Sequence, residues 1–179
     1  MSIIRLHDKE FKPHILQSEI DAAISRVAAN LNSDYKGKKP LFVGVLNGSF
    51  LFVADLLRKI ELECEVSFVK LTSYEGTTTT GQVKELVGLN ENIEGREVIL
   101  LEDIVDTGIT LENLYQSLEG LGASSIKVAT LLFKPNAYTK SYPIDYAALE
   151  VGNEFLVGYG LDYDGLGRNL KDIYIITED

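Results

Sequence analysis

A chain of 179 residues, 45% hydrophobic and 25% charged, has the size and balance of a single globular domain with a sizeable core. No apolar run approaches the ~20 residues of a membrane span, the opening MSIIRLHDKEF lacks the apolar core and cleavage site of a secretory leader, and the lone cysteine, Cys64, excludes an internal disulfide, so a cytoplasmic setting is expected. A net charge of −10 and a pI of about 4.7 argue against nucleic acid or anionic lipid as partners; two histidines and one cysteine give no zinc-ligand spacing, and His7 and His14 read as surface side chains.

In chain order, helical spacing of Ile20, Ala23, Ile24, Val27, Ala28 and Leu31 predicts a first helix over residues 17–31. After the polar loop NSDYKGKKP, the apolar run LFVGVL (41–46) reads as a buried strand. NGSF follows, then an amphipathic helix over 50–59. CEVSFVKLTSY (64–74) reads as a second strand, EGTTTTG (75–81) as a flexible loop without an apolar anchor, and QVKELV as a short strand. REVILLED (96–103) is the next strand. The helix after it carries Leu111, Leu114, Tyr115, Leu118 and Leu121 on one face and ends at Gly120 and Gly122. SIKVATLLFK (125–134), DYAALEV, FLVGYGLDY and DIYIIT are the remaining strands. Strands alternating with helices imply a mostly parallel α/β sheet with helices on both faces. Ligands of such sheets bind beyond the carboxyl ends of the strands, which makes NGSF and the end of REVILLED candidate neighbours.

The chemistry concentrates in LEDIVDTGIT (101–110), where Glu102, Asp103 and Asp106 crowd three carboxylates into five residues at a strand end. Two like charges ~4 Å apart repel by about 1 kcal/mol in water and roughly 4 kcal/mol at an effective dielectric of 20. Helix capping by Asp106 or Thr107 would account for one acid, not three. The turn formed by Thr107, Gly108, Ile109 and Thr110 opens a helix, so its backbone N–H groups and two hydroxyls suit an anion. No G-x-x-x-x-G-K-[ST] pattern is present, so it is not a P-loop. The acids would repel a bare polyphosphate; they suit ribose hydroxyls and a metal-bound ligand.

VILLEDIVDTGIT resembles the phosphoribosyl-pyrophosphate signature of the type I phosphoribosyltransferases. GVLNGSFLFVADLLR, VKLTSYEG, LLFKP and EFLVGYGLDYDGLGRNL extend the resemblance to the hypoxanthine-guanine branch over nearly the whole chain. The resemblance implies one domain, residues 1–179, with a central twisted, mostly parallel sheet. It implies a small hood made from the N-terminal segment and part of about 134–179, and a mobile loop at about 73–85. By the same resemblance Glu102 and Asp103 bind the ribose, Asp106 is the catalytic acid-base near purine N7, and Thr107, Gly108, Ile109 and Thr110 cradle the 5′-phosphate. Ile109 stands where some relatives have Lys. Asn47 and Gly48 belong to a pyrophosphate loop, with a cis peptide placed between Leu46 and Asn47, and Asn47 too replaces a Lys of some relatives. Arg168 is the pyrophosphate arginine. Lys134 donates to O6 of the purine, a donor-only group that suits a 6-oxo and not a 6-amino purine. Phe155 stacks on the base and the Leu156 backbone reads its edge. Glu102, Asp103 and Asp162 are the implied magnesium acids. Ser73 and Tyr74 open the mobile loop, and Lys70 is a further phosphate contact.

The expected activity is magnesium-dependent, reversible transfer of 5-phosphoribosyl to N9 of hypoxanthine or guanine by a homodimer or homotetramer. Preference among hypoxanthine, guanine and xanthine is not legible. Two rivals stand beside this. A receiver-type phosphoacceptor domain also ends a strand in acids, but carries that strand near its start, whereas roughly a hundred residues precede it here. A non-catalytic regulator on the same fold would bind nucleic acid, which the −10 charge disfavours.

Overall fold

The structure, a computed structural model, describes residues 2–74 and 83–177. In chain order the elements are β1 (Ile4–Leu6), β2 (Lys9–Ile15), α1 (Gln17–Asp34), β3 (Leu41–Val45), α2 (Phe50–Leu57), β4 (Glu65–Tyr74), β5 (Val83–Val87), β6 (Glu97–Val105), α3 (Ile109–Gly120), β7 (Ser125–Phe133), β8 (Tyr146–Glu150), β9 (Leu156–Val157) and β10 (Ile173–Ile176). No helix among the described residues is long and apolar enough to cross a membrane.

The main sheet has the order β5-β4-β3-β6-β7-β8. Its neighbours pair in parallel except β5, which lies antiparallel to β4. All of β3 is buried, as is the stretch of β6 from Val98 to Leu101. Such unbroken apolar runs mark strands covered on both faces. Successive side chains on a strand point to opposite faces, and here they feed two cores. Phe42, Ile99, Leu101 and Leu131 meet α1 and α2 on one face. Leu41, Val43, Val98, Leu100 and Val128 meet Leu111, Leu114 and Leu118 of α3 on the other. The chain leaves β3 for β4 on one side and returns through β6 on the other, so the sheet order reverses between β3 and β6. A crevice opens at their carboxyl ends, the place where such sheets bind ligands.

The last strands do not all extend this sheet. β9 and β10 turn away and join β1 and β2 in a four-stranded antiparallel sheet of order β1-β2-β10-β9, built from both ends of the chain. This is the hood. FLVGYGLDY reads as one strand by apolar content, but only two of its residues are extended. Gly158, Tyr159 and Gly160 all take positive φ and fold the chain back. Strands β1 and β2 lie outside the sequence reading. The signal in KEFKPHI was alternation, with Phe11 and Ile15 buried, masked by Pro13, which sits beside a register shift in β10. Ser73 and Tyr74, expected to open the loop, are the last residues of β4, paired with Lys84 and Val83. Of the mobile loop expected at about 73–85, residues 83–85 belong to β5 and residues 75–82 lie outside the described residues. His7 and His14 are exposed as expected.

The opening of α1 bears on the hood. Leu16 has no side chain that can cap, so Glu19 Oε2 accepts from the Leu16 N–H at 2.9 Å and Asp172 Oδ1 accepts from the Gln17 N–H at 2.8 Å. The second bond ties the chain just before β10 to the helix under the main sheet.

Candidate active site

One cleft of about 390 Å³ lies at the β3–β6 edge. It brings together Asn47, Gly48, Glu102, Asp103, Asp106, Thr107, Gly108, Ile109, Thr110, Asp162 and Arg168, with Val45, Leu46 and Leu111 as apolar wall. Each wall follows from a local backbone feature.

After β3, Ser49 Oγ donates to Val45 O at 2.6 Å and Leu46 N–H donates to Val69 O at 2.8 Å, which turns residues 46–49 sharply into α2. The Leu46–Asn47 peptide is cis. Gly48 is packed so closely on Asp103 that a Cβ there would lie 1.5 Å from Asp103 Oδ2. Only a residue without a side chain fits between the two.

β6 carries the acids. The strand runs to Val105, two residues past the sequence reading, so Glu102 and Asp103 are strand residues and leave it on opposite faces. Glu102 is 5% exposed, and burial, with the Asp103 charge second, pushes its carboxyl well above the ordinary value. Asp103 is half-buried. Burial raises it too, against the Ile104 N–H that donates to its Oδ1 at 2.9 Å and the nearby Arg168 guanidinium. Desolvation favours their protonated forms until a ligand brings donors or positive charge.

Asp106 stands exposed just beyond β6, and Lys134 Nζ lies 3.1 Å from its Oδ2. Lys134 N–H donates to Val105 O at 2.9 Å, which extends the β6–β7 ladder by one rung and carries the ammonium, in a residue only 7% exposed, to the acid. α3 begins immediately after. Its N-cap is Gly108, at φ +85° and without any side-chain cap bond. Neither Asp106 nor Thr107 caps the helix, so the first-turn N–H groups of Ile109, Thr110 and Leu111, residues of the cleft lining, carry no side-chain cap. Gly108 must be glycine: a Cβ there would lie 2.4 Å from the Tyr138 ring.

Opposite, Arg168 donates from Nη1 to Gly160 O and from Nη2 to Asp162 Oδ1, both at 2.7 Å, while Asp162 Oδ2 accepts the Gly165 N–H at 2.7 Å. Both Asp162 oxygens thus have protein partners. Among the described residues no group of three or more acids, histidines or cysteines is arranged to hold a metal ion. Buried acids at the cleft floor still suit a hard divalent ion whose other ligands are phosphate and water.

Lys134, Phe155 and Leu156 lie outside the cleft lining. Lys134 reaches it through Asp106. Phe155 is 45% exposed and is held by Phe11 at 6.3 Å and Tyr163 at 5.8 Å between ring centroids. The Leu156 side chain is buried in the core, which leaves only its backbone for recognition. Phe155 O accepts the Ile176 N–H from β10 at 3.3 Å, so along this edge strand the Leu156 groups alternate toward the open side. Phe11 and Tyr163 were not legible as site residues, because nothing in an isolated aromatic separates support of a site from core packing. Lys70 is exposed on β4, outside the cleft lining.

Residues 15–164 match the model of a family described as the phosphoribosyl transferase domain. The chain is 44% identical over 168 residues to a hypoxanthine-guanine phosphoribosyltransferase of Streptococcus agalactiae, covering 92% of this chain and 93% of that one. It is 43% identical over 164 residues to one of Streptococcus mutans, covering 91% of each. Among solved structures, a hypoxanthine phosphoribosyltransferase of Staphylococcus aureus superposes with a TM-score of 0.82 at 33% identity, over 93% of this chain and 91% of that chain.

Proposed function

This chain belongs to the hypoxanthine-guanine phosphoribosyltransferase family, and from that premise we propose that it transfers 5-phosphoribosyl from phosphoribosyl pyrophosphate to N9 of hypoxanthine, and of guanine, in purine salvage. The bond from C1′ to pyrophosphate breaks, the C1′–N9 bond forms, and the purine gives up one proton. The observation that carries the reading is the convergence, on one cleft, of buried acids, an open helix N-terminus and an acid paired to a buried lysine.

Each group has work that fits its chemistry. Glu102 and Asp103 accept from the ribose hydroxyls, whose donation stabilises their ionised forms. The N–H groups at Ile109, Thr110 and Leu111, with the Thr107 and Thr110 hydroxyls, take the 5′-phosphate at the positive end of α3. Arg168, Asn47 and the Gly48 backbone hold pyrophosphate, and a guanidinium can grip its oxygens in pairs. Lys134 donates to O6, Phe155 stacks on the base, the Leu156 backbone meets its edge, and Asp106 takes or holds the N7 proton. Glu102 or Asp103 would hold magnesium with the donor's own oxygens, and the ion would supply neutralisation of the leaving group when bound. Water exclusion by the hood, formed from both chain ends, protects an oxocarbenium-like ribose.

We place the reaction in the cytoplasm, on the single free Cys64. We infer a homodimer or homotetramer, supported by exposed Val66 and Phe68 on one face of β4 and exposed Leu46 and Phe50 at the two ends of the turn from β3 into α2. The test mixes pure protein with magnesium, phosphoribosyl pyrophosphate and hypoxanthine, guanine, xanthine or adenine in turn. Nucleotide and pyrophosphate are expected with the 6-oxopurines and not with adenine. No product with any purine, alongside retained nucleotide binding, overturns the catalytic reading and leaves a binding protein.

A further inference from the structure

Tyr159 stands between Gly158 and Gly160, and all three take left-handed φ, at +105°, +48° and +99°. The glycines are explained by close contacts. A Cβ at Gly158 would lie 2.2 Å from Asp172 O, and one at Gly160 would lie 2.0 Å from Gly48 O. The tyrosine is not explained that way, because a bulky residue rarely adopts this conformation. Its side chain supplies the reason. The ring is 4% exposed within the core under α1 and α2, and its hydroxyl donates to Asp55 Oδ2 on α2. Burial and the adjacent Asp55 carboxylate hold the Tyr159 hydroxyl protonated far above its ordinary value, so it stays a donor.

The bond joins the two walls of the pyrophosphate end of the cleft. α2 follows directly from the Asn47–Gly48 turn. The turn bearing Tyr159 places Gly160 against the Gly48 carbonyl, and Gly160 O in turn accepts from Arg168 at 2.7 Å. The Gly160 N–H donates back to Arg168 O at 3.0 Å. We propose that Tyr159 and Asp55 are a positioning pair that fixes the Arg168 turn against the Gly48 loop, so that the pyrophosphate site stands formed before the donor arrives. Neither residue lines the cleft. The inference rests on the reading of Gly48 and Arg168 given under the proposed function.

The experiment compares wild type with Tyr159→Phe, Asp55→Ala, Asp55→Asn and the Tyr159→Phe/Asp55→Ala pair. It measures KM for phosphoribosyl pyrophosphate, KM for hypoxanthine, the inhibition constant of pyrophosphate and the melting temperature. Tyr159→Phe keeps the ring in the core and loses only the donor. It is expected to raise the donor KM and the pyrophosphate constant together, by about fivefold or more, with the hypoxanthine KM within about twofold. Asp55→Ala is expected to match it, Asp55→Asn, which keeps an acceptor, to recover most of the loss, and the double variant to be no worse than either single one. Should Tyr159→Phe not fold, Asp55→Ala against Asp55→Asn gives the same comparison. Unchanged pyrophosphate constants in both, or an equal rise in the hypoxanthine KM, overturn the positioning role. Wild type that forms no nucleotide overturns the proposed activity instead.

Discussion

The Lys134 ammonium and the Asp106 carboxylate meet at 3.1 Å across the ends of β6 and β7, one buried and the other half in water. A buried ammonium without a partner is costly, and Asp106 supplies the partner while the site is empty. Within the proposed chemistry both groups turn to the same base, Lys134 to its 6-oxo group and Asp106 to its N7 side. The pair therefore stands ready as a donor and an acceptor at a fixed spacing. Asp106→Asn keeps the shape and an acceptor for Lys134 but loses the basic carboxylate. Turnover is expected to fall by about 10²-fold or more while circular dichroism stays that of wild type. Turnover equal to wild type would remove Asp106 from the chemistry.

Lys134→Gln probes the other member. It leaves an amide where a cation met O6, and it frees Asp106. The KM for hypoxanthine is expected to rise by roughly tenfold or more, because a hydrogen bond from a charged donor contributes about 1.5–3 kcal/mol. The KM for phosphoribosyl pyrophosphate should move far less, since Lys134 lies outside the lining of the cleft proposed for the donor. Steady-state titration of each substrate separates the two; a change confined to the donor KM would reassign Lys134.

Gly48 and Gly165 form a matched pair of alanine substitutions. A Cβ at Gly48 would lie 1.5 Å from Asp103 Oδ2, whereas one at Gly165 meets nothing within 4 Å and contends only with φ +84°. Gly48→Ala must displace either the loop or the acid, and a displacement near 1 Å in a site costs about 10²-fold in kcat/KM. Gly165→Ala is expected to lower stability by roughly 1 kcal/mol with kcat/KM within a fewfold of wild type. Equal kinetic effects of the two would mean that the contact with Asp103 is not what Gly48 protects.

The parallel sheet, its helices and the acid edge were legible because each has a local signature. Unbroken apolar runs mark β3 and β6, helical spacing marks α1 and α3, and the crowding of Glu102, Asp103 and Asp106 marks a strand end. The hood was less legible because its strands are short and come from opposite ends of the chain. The pairing of Phe11 with Ile176 has no local signal at all. Protonation was illegible for the same reason. Glu102 reads as an ordinary acid until the residues that bury it are known. Likewise, nothing in the sequence shows that Arg168 and the Gly165 N–H share the two oxygens of Asp162.

The buried acid predicts an opposition between stability and function. Burial, then the Asp103 charge, raises Glu102 above its ordinary value of 4.5. A group raised on folding binds its proton more tightly in the folded chain than in the unfolded one. Its contribution to stability is therefore complete below pH 4.5 and declines as pH rises toward and through the folded value. Glu102→Gln has the same shape and no charge, so it should keep that contribution at every pH. Urea unfolding at several pH values from 4 to 8.5 is expected to show the variant more stable than wild type at neutral and alkaline pH and similar to it at the acid end. Use of phosphoribosyl pyrophosphate should fall, because the amide cannot supply the negative charge that a magnesium-laden donor selects. In wild type the same logic has the donor drawing Glu102 toward its ionised form, so donor binding should release protons and tighten as pH rises. Calorimetry in buffers of different ionisation enthalpy measures that release. A Glu102→Gln variant less stable than wild type at pH 8 would show instead that the carboxylate is held ionised by a partner, and that the acids at this edge serve the fold rather than the ligand.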